Sequence, residues 1–224
     1  MVKLVRLQNS PLSVRASEIE RRPVRRVSTG REAWDRALAG GIVCPSSALL
    51  FGAAGIGKTT MALAVATKIA EGLGGDALYG SAEMRQEMVV MTADRADADP
   101  KRLLIYDGDE SEAFVQEIRT HKPRVVVWDS LQAFRRGGEL GELAQREVLA
   151  TAIREGGRCG AVTILLSQVS KAGDYLGSNG FRHGVDATLS LLRDPKGQLV
   201  LAVEKHRFGP SPVKVVDSQK IALP

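Results

Sequence analysis

Gly52-Ala53-Ala54-Gly55-Ile56-Gly57-Lys58-Thr59 spaces glycines, a lysine and a hydroxyl so that one short segment can hold a row of phosphates. The run fits GxxxxGK[ST] in full, directly after an apolar strand and opening a helix. Its glycines let successive backbone N–H groups turn inward around phosphate oxygens, and the helix N-terminus adds favourable partial charge. Lys58 can reach the β- and γ-phosphate oxygens, and Thr59 can place its hydroxyl on Mg²⁺. The nucleotide contacts are therefore assigned to Gly52, Ala53, Ala54, Gly55, Ile56, Gly57, Lys58, Thr59 and Thr60, with ATP and Mg²⁺ as the expected ligands. A phosphate loop needs a second magnesium contact at the end of a neighbouring buried strand, and Val125-Val126-Val127-Trp128-Asp129 supplies one, making Asp129 the metal residue beside Thr59. Hydrolysis also needs a group to orient or deprotonate the attacking water. Glu83, just past an apolar strand that ends near Tyr79-Gly80-Ser81, fits that place better than Glu87, one helical turn further on.

These residues need a scaffold, and the apolar pattern describes one. Ser47 to Phe51 reads as the strand before the glycine loop, and Met61, Val65 and Ile69 recur at four-residue spacing, as one face of the following helix requires. Ala77 to Tyr79, Leu103 to Tyr106, Arg124 to Trp128 and Ala161 to Leu166 are further strands. Between them run two helices. The first carries Phe114, Val115 and Ile118 and is closed by Pro123; the second carries Leu140, Ala144, Val148 and Ala152 and is ended by Gly156-Gly157. This alternation predicts an α/β fold, a mainly parallel sheet flanked by helices. After Gly184 the pattern changes, because Ala187 to Leu192 and Leu199 to Val203 flank the turn Asp194-Pro195-Lys196-Gly197, which predicts antiparallel C-terminal strands with Val213 to Val216 as one more.

A chain of 224 residues is long enough for one substantial core, and a 44% hydrophobic, 25% charged composition excludes a disordered chain. No apolar run approaches the roughly 20 residues that span a bilayer, so no membrane contact and a cytoplasmic location are expected. Cys44 and Cys159 lack metal-ligand spacing and are expected to stay reduced. The net charge of +5 permits a polyanionic partner, and the excess is concentrated early: Lys3, Arg6, Arg15, Arg21, Arg22, Arg25 and Arg26 stand against Glu18 and Glu20. Residues 1–27 are read as a basic arm and 28–224 as one domain.

The order of motifs resembles the bacterial RadA (Sms) family. It is carried by Ser28-Thr29-Gly30, Ala39-Gly40-Gly41-Ile42, the phosphate loop, Tyr79-Gly80-Ser81-Ala82-Glu83, Val127-Trp128-Asp129-Ser130, Ser167-Gln168-Val169-Ser170-Lys171 and Lys205-His206-Arg207-Phe208-Gly209. That similarity implies a RecA-like ATPase core acting as rings of about six subunits on single-stranded DNA. These 224 residues contain neither the family's four-cysteine zinc module nor its Lon-protease-like domain, and its usual Gly-His-Val-Thr-Lys and late Asn are Ser167 to Lys171 and His206 here. Ser167-Gln168, Ser81-Ala82-Glu83-Met84 and the Lys-x-Arg before Phe208-Gly209-Pro210 look instead like DnaB-type replicative helicases. In both families the late Lys and Arg reach the γ-phosphate held by the neighbouring subunit, which assigns that part to Lys205 and Arg207. Gln168 resembles the polar sensor that links the γ-phosphate to a DNA loop.

DNA contacts are expected from Arg135 and Arg136, beside Gly137-Gly138, and from Lys171 in the following glycine-containing loop. Aromatics make up only 4% of the chain, so base stacking is not expected to dominate and binding should be salt-sensitive and sequence-tolerant. The expected function is an ATP-hydrolysing DNA motor, a translocase, helicase or recombination ATPase in a ring or filament, with a loader or a replication or repair protein as a further partner. Two other classes share this core: a nucleotide-dependent switch that binds protein partners, and a small-molecule kinase.

Overall fold

The computed structural model describes residues 15–18, 23–168 and 179–219. Arg26–Val27 (β1) pairs antiparallel with Ile42–Val43 (β2), with Glu32–Ala37 (α1) between them. The glycine loop joins Ser46–Gly52 (β3) to Lys58–Leu73 (α2). Then follow Ala77–Ser81 (β4), Gln86–Arg95 (α3), Leu103–Asp107 (β5), Ser111–His121 (α4), Val125–Asp129 (β6), Glu142–Cys159 (α5), Val162–Gln168 (β7), Asn179–Gly184 (α6), Ala187–Arg193 (β8), Leu199–His206 (β9) and Val213–Val216 (β10).

Eight strands form one sheet in the order β10-β9-β8-β3-β7-β6-β4-β5. It is parallel from β8 to β5 and antiparallel from β8 to β10, as the change of pattern after Gly184 predicts. The turn between β8 and β9 is held by Asp194, whose carboxylate accepts from the backbone of Lys196 (2.9 Å) and Gln198 (2.8 Å).

Both faces of the sheet are covered, and the two-residue period of the strands divides the core between them. Ala48, Leu50, Val125, Val127 and Ile164 pack on the side of α1, α2 and α3. Leu49, Val126, Trp128 and Leu165 pack on the side of α4 and α5. On that second side Trp128 meets Phe114 (4.5 Å) and Phe134 (4.7 Å) edge-on, which fixes the strand end from which Asp129 projects.

The helix read from Leu140 to Gly156-Gly157 needs correction at both ends. Leu140 lies outside it, and α5 runs from Glu142 through both glycines to Cys159. Gly156 is there for closeness to the sheet: a Cβ at this position would lie 1.9 Å from Thr163 Oγ1. Helix-to-strand contact therefore outweighs the low helix propensity of a glycine pair.

His206 closes β9 in a buried position, with Nδ1 unpartnered. Burial first, and Arg26 second, push its pKa down. A histidine that resists protonation only in the folded state contributes stability that is present above its unfolded pKa of about 6.5 and is lost as pH falls toward the folded value. Urea midpoints should therefore drop between pH 7.5 and 5.5, and His206→Gln should flatten that drop. An unchanged slope in the variant would assign the acid limb to other groups.

Candidate functional site

The loop after β3 turns tightly enough to aim its backbone inward because Gly55 and Gly57 adopt φ of 72° and 104°, values that L side chains rarely reach. Gly57 is the N-cap of α2, and no side chain caps that helix. The first N–H groups of α2 are thus free to meet a ligand, with the positive end of the helix dipole behind them and no acidic residue in the first turn.

Lys58 is half-buried, and its ammonium donates to Gly52 O (2.9 Å) and Ala53 O (3.0 Å), neutral carbonyls that a phosphate oxygen would outcompete. Burial pushes its pKa down, against the pull of Asp129 and Glu83 in the other direction. The next residue reaches across to β6, where Thr59 Oγ1 donates to Asp129 Oδ2 at 2.6 Å. Tyr79 OH donates to the same oxygen. Burial pushes the Asp129 carboxyl up, while the two hydroxyls work to hold it down.

Glu83 owes its place to the pairing of β4 with β6, which sets Ser81 opposite Asp129. Past that pair, Ser81 Oγ donates to Met84 O (2.5 Å) and accepts from Met84 N (3.0 Å), and Ala82 N donates to Asp129 O (2.9 Å). The resulting turn holds Glu83 at the rim, where it accepts from Ser130 Oγ at 2.5 Å. Gln168 ends β7, level with Gly52 in the register, so its backbone stands beside the start of the loop.

The assembled residues enclose a cavity of about 260 Å³ lined by the loop, Thr60, Glu83 and Asp129. Met84, Thr92 and Arg95 line it too, and sequence reasoning did not single them out. It also missed Tyr79. Tyr79 lies on the same face of β4 as Ser81, opposite Val127, hence diagonal to Asp129, and that register is the signal which could have found it.

Does this site suit Mg²⁺ with a nucleoside triphosphate? Among the described residues no three His, Cys, Asp or Glu side chains converge on one point. Two oxygens, from Thr59 and Asp129, meet beside a phosphate-sized cradle. That donor set fits a cation which takes its remaining ligands from phosphates and water, as Mg²⁺ does.

The late Lys-x-Arg stands elsewhere. On β9, His206 pairs with Ala187, which is level with Ala48, so Lys205 and Arg207 flank the end of the sheet opposite the glycine loop. Lys205 donates to the carbonyls of Arg182, His183 and Val185 (3.0, 3.1 and 2.6 Å), and Arg207 to Asp186 Oδ1 (2.9 Å) and His183 O (3.2 Å). Arg135 is paired with Asp109 (2.8 Å) and Arg136 with Glu147 (2.5 Å). Lys171 lies outside the described residues. No helix among the described residues is long and apolar enough to cross a membrane.

Residues 14–174 match a family model described as an AAA domain. The chain is 32% identical over 198 residues to the DNA repair protein RadA of Pseudomonas aeruginosa, covering 86% of this chain and 43% of that protein. It is 32% identical over 204 residues to RadA of Mycobacterium tuberculosis (88% and 42%) and 30% identical over 189 residues to RadA of Aquifex aeolicus (82% and 42%). The chain thus spans less than half the length of these relatives. Among solved structures, the ATPase domain of G40P superposes with a TM-score of 0.72 at 17% identity, covering 85% of this chain and 86% of that one, a likeness of fold.

Proposed function

The chain belongs to the AAA domain family, and from that premise we propose that it is the ATP-hydrolysing core of a DNA motor working as a ring or filament of identical subunits. One observation carries the reading: Lys58, Thr59, Asp129 and Glu83 surround one cradle, while Lys205 and Arg207 stand at the far end of the same sheet.

The cradle's backbone N–H groups and Lys58 bind the phosphates and orient the γ-phosphate. Thr59 and Asp129 would hold Mg²⁺, which supplies charge neutralisation on the β- and γ-oxygens. Tyr79 keeps the Asp129 oxygen aimed at Thr59. Glu83, held by Ser130, orients a water in line with the γ-phosphorus and takes its proton.

Charge that spreads over the γ-phosphoryl group in the transition state calls for a further cation. Lys205 and Arg207 cannot serve their own site. The step from Ala48 to Gly52 alone is about 13 Å along the strand, before β8, which lies between β9 and β3, is crossed. A neighbouring subunit's nucleotide is the target that this placement leaves. Gln168, Arg135, Arg136 and Lys171 are assigned to sensing and gripping DNA, the likeness to DNA repair proteins being the support for that polymer. Residues 1–27 are assigned as an arm that docks on a neighbour or DNA; residues 1–14 and 19–22 of it lie outside the described residues, and Arg26–Val27 joins the domain as β1.

Steady-state ATP turnover measured with and without an oligothymidylate, alongside mass by light scattering, tests the reading. Turnover should rise several-fold with DNA, and the active species should be a multimer. A monomer whose turnover is indifferent to DNA would favour a protein-partnered switch, and transfer of the phosphoryl group to a metabolite would favour a kinase.

A further inference from the structure

At the end of the sheet opposite the glycine loop, a groove of about 540 Å³ opens between the C-terminal turns of α4 and α5 and the start of β6. It is lined by Arg119, Lys122, Arg124, Glu155, Arg158 and Cys159. Its organising group is Glu155, buried while the cations around it are exposed. Oε2 of that carboxylate accepts from Arg119 Nε (3.0 Å), and Oε1 from Arg158 Nη1 (2.9 Å) and Arg154 Nε (3.3 Å).

Arg154 spends its fork on Glu155 and Thr151, whereas Arg119 and Arg158 line the groove with part of theirs on Glu155, so two planar donors are held ready at one place. Lys122 and Arg124 have no carboxylate partner among the described residues. The cations exceed what local structure asks of them. The four that line the groove meet one carboxylate and two helix C-termini worth about half a negative charge each, which leaves a surplus of about two positive charges.

We infer that this groove is a second nucleic-acid contact, gripping the phosphodiester backbone of a single strand at the pole opposite the nucleotide. The lining favours that ligand over an acidic protein segment. A peptide partner draws its affinity from apolar anchors seated in pockets, and none of the lining side chains is a large hydrophobe. A phosphate backbone needs only charge and donors. The inference rests on the reading of this chain as a DNA-binding protein.

The test is fluorescence anisotropy of a labelled oligothymidylate against the full chain, between 50 and 200 mM salt, for wild type, Lys122→Gln/Arg124→Gln and Arg135→Gln/Arg136→Gln. The groove pair is chosen because its loss strands no buried carboxylate. Losing two phosphate contacts on a single strand should flatten the slope of log K against log salt by about 1.4 and weaken binding several-fold at the lower salt. ATP turnover without DNA should stay at the wild-type level, since the groove is remote from the cradle. Lys122→Gln alone, at an exposed position, should give half the change in slope if the double variant is damaged.

Wild-type slope and affinity in the groove variants, with a loss confined to Arg135→Gln/Arg136→Gln, would overturn the groove and keep the DNA reading. Absence of binding by wild type would overturn both. A groove-dependent gain in anisotropy with a labelled polyglutamate peptide but not with the oligonucleotide would replace the nucleic acid by an acidic partner.

Discussion

Arg207→Ala should lower ATP turnover in the assembled protein by about a thousandfold or more, the range in which a cation supplied to a phosphoryl-transfer transition state acts. The loss should appear in kcat while nucleotide affinity at the cradle holds, because Arg207 lies at the other end of the sheet from Lys58. Little of it should come from damage to the fold. Arg207 is exposed, and its partner Asp186 keeps the bonds from Ser47 N (2.9 Å) and Ser47 Oγ (2.8 Å), so the stability change should stay within about 1 kcal/mol. A mixing experiment separates a finger that acts on a neighbour from one that acts at home. Lys58→Ala chains have a damaged cradle and an intact Arg207; Arg207→Ala chains have the reverse. Combined, they form junctions at which an intact cradle meets an intact finger, and turnover should recover to a measurable fraction of wild type. No recovery from two chains that do co-assemble would remove the trans assignment.

The contrast between cradle and finger also explains what could be read before the fold was known. The cradle is local: its glycines, Lys58 and Thr59 are neighbours in sequence, and the chemistry dictates their spacing. Asp129 was legible because a run of Val125-Val126-Val127 ending in a carboxylate is unusual for anything but a buried strand with a task at its tip. Tyr79 was not, because its partner is fifty residues away and the two meet only through the register that sets Ser81 opposite Asp129. The pairing of Arg135 with Asp109 and of Arg136 with Glu147 was hidden for the same reason, and it means that phosphates must displace carboxylates to use those arginines. The glycine pair in α5 misled for a different one. Gly156-Gly157 carries a helix-ending signature, but the space beside Thr163 requires a residue without a Cβ at Gly156, and the helix runs on to stop where Gly160 takes the left-handed C-cap. Lys205 and Arg207 were legible as chemistry and not as geometry, since only the antiparallel course of β9 carries them away from their own cradle.

Glu83→Gln should separate binding from hydrolysis at the cradle itself. The amide keeps the size of the carboxylate and an oxygen that Ser130 Oγ can still donate to, so the turn after β4 should survive and ATP should bind with near wild-type affinity. What disappears is the capacity to accept a proton from the attacking water, and kcat should fall by about a hundred- to ten-thousandfold. Glu87→Gln provides the comparison: Glu87 lies in the first turn of α3, is exposed and does not line the cavity, so its turnover should match wild type. Equal losses in both variants would mean that charge near the mouth of the cavity matters in general and that Glu83 holds no special position. Retained turnover in Glu83→Gln would pass the role of base to another group. Asp129 is the nearest candidate, but it already receives Thr59 and Tyr79 on one oxygen, and a carboxylate so engaged is placed to hold a cation and poorly placed to take a proton. That division of labour between two carboxylates, one half-buried and held by two hydroxyls and one open at the rim on a single serine, is what the Glu83 variant tests.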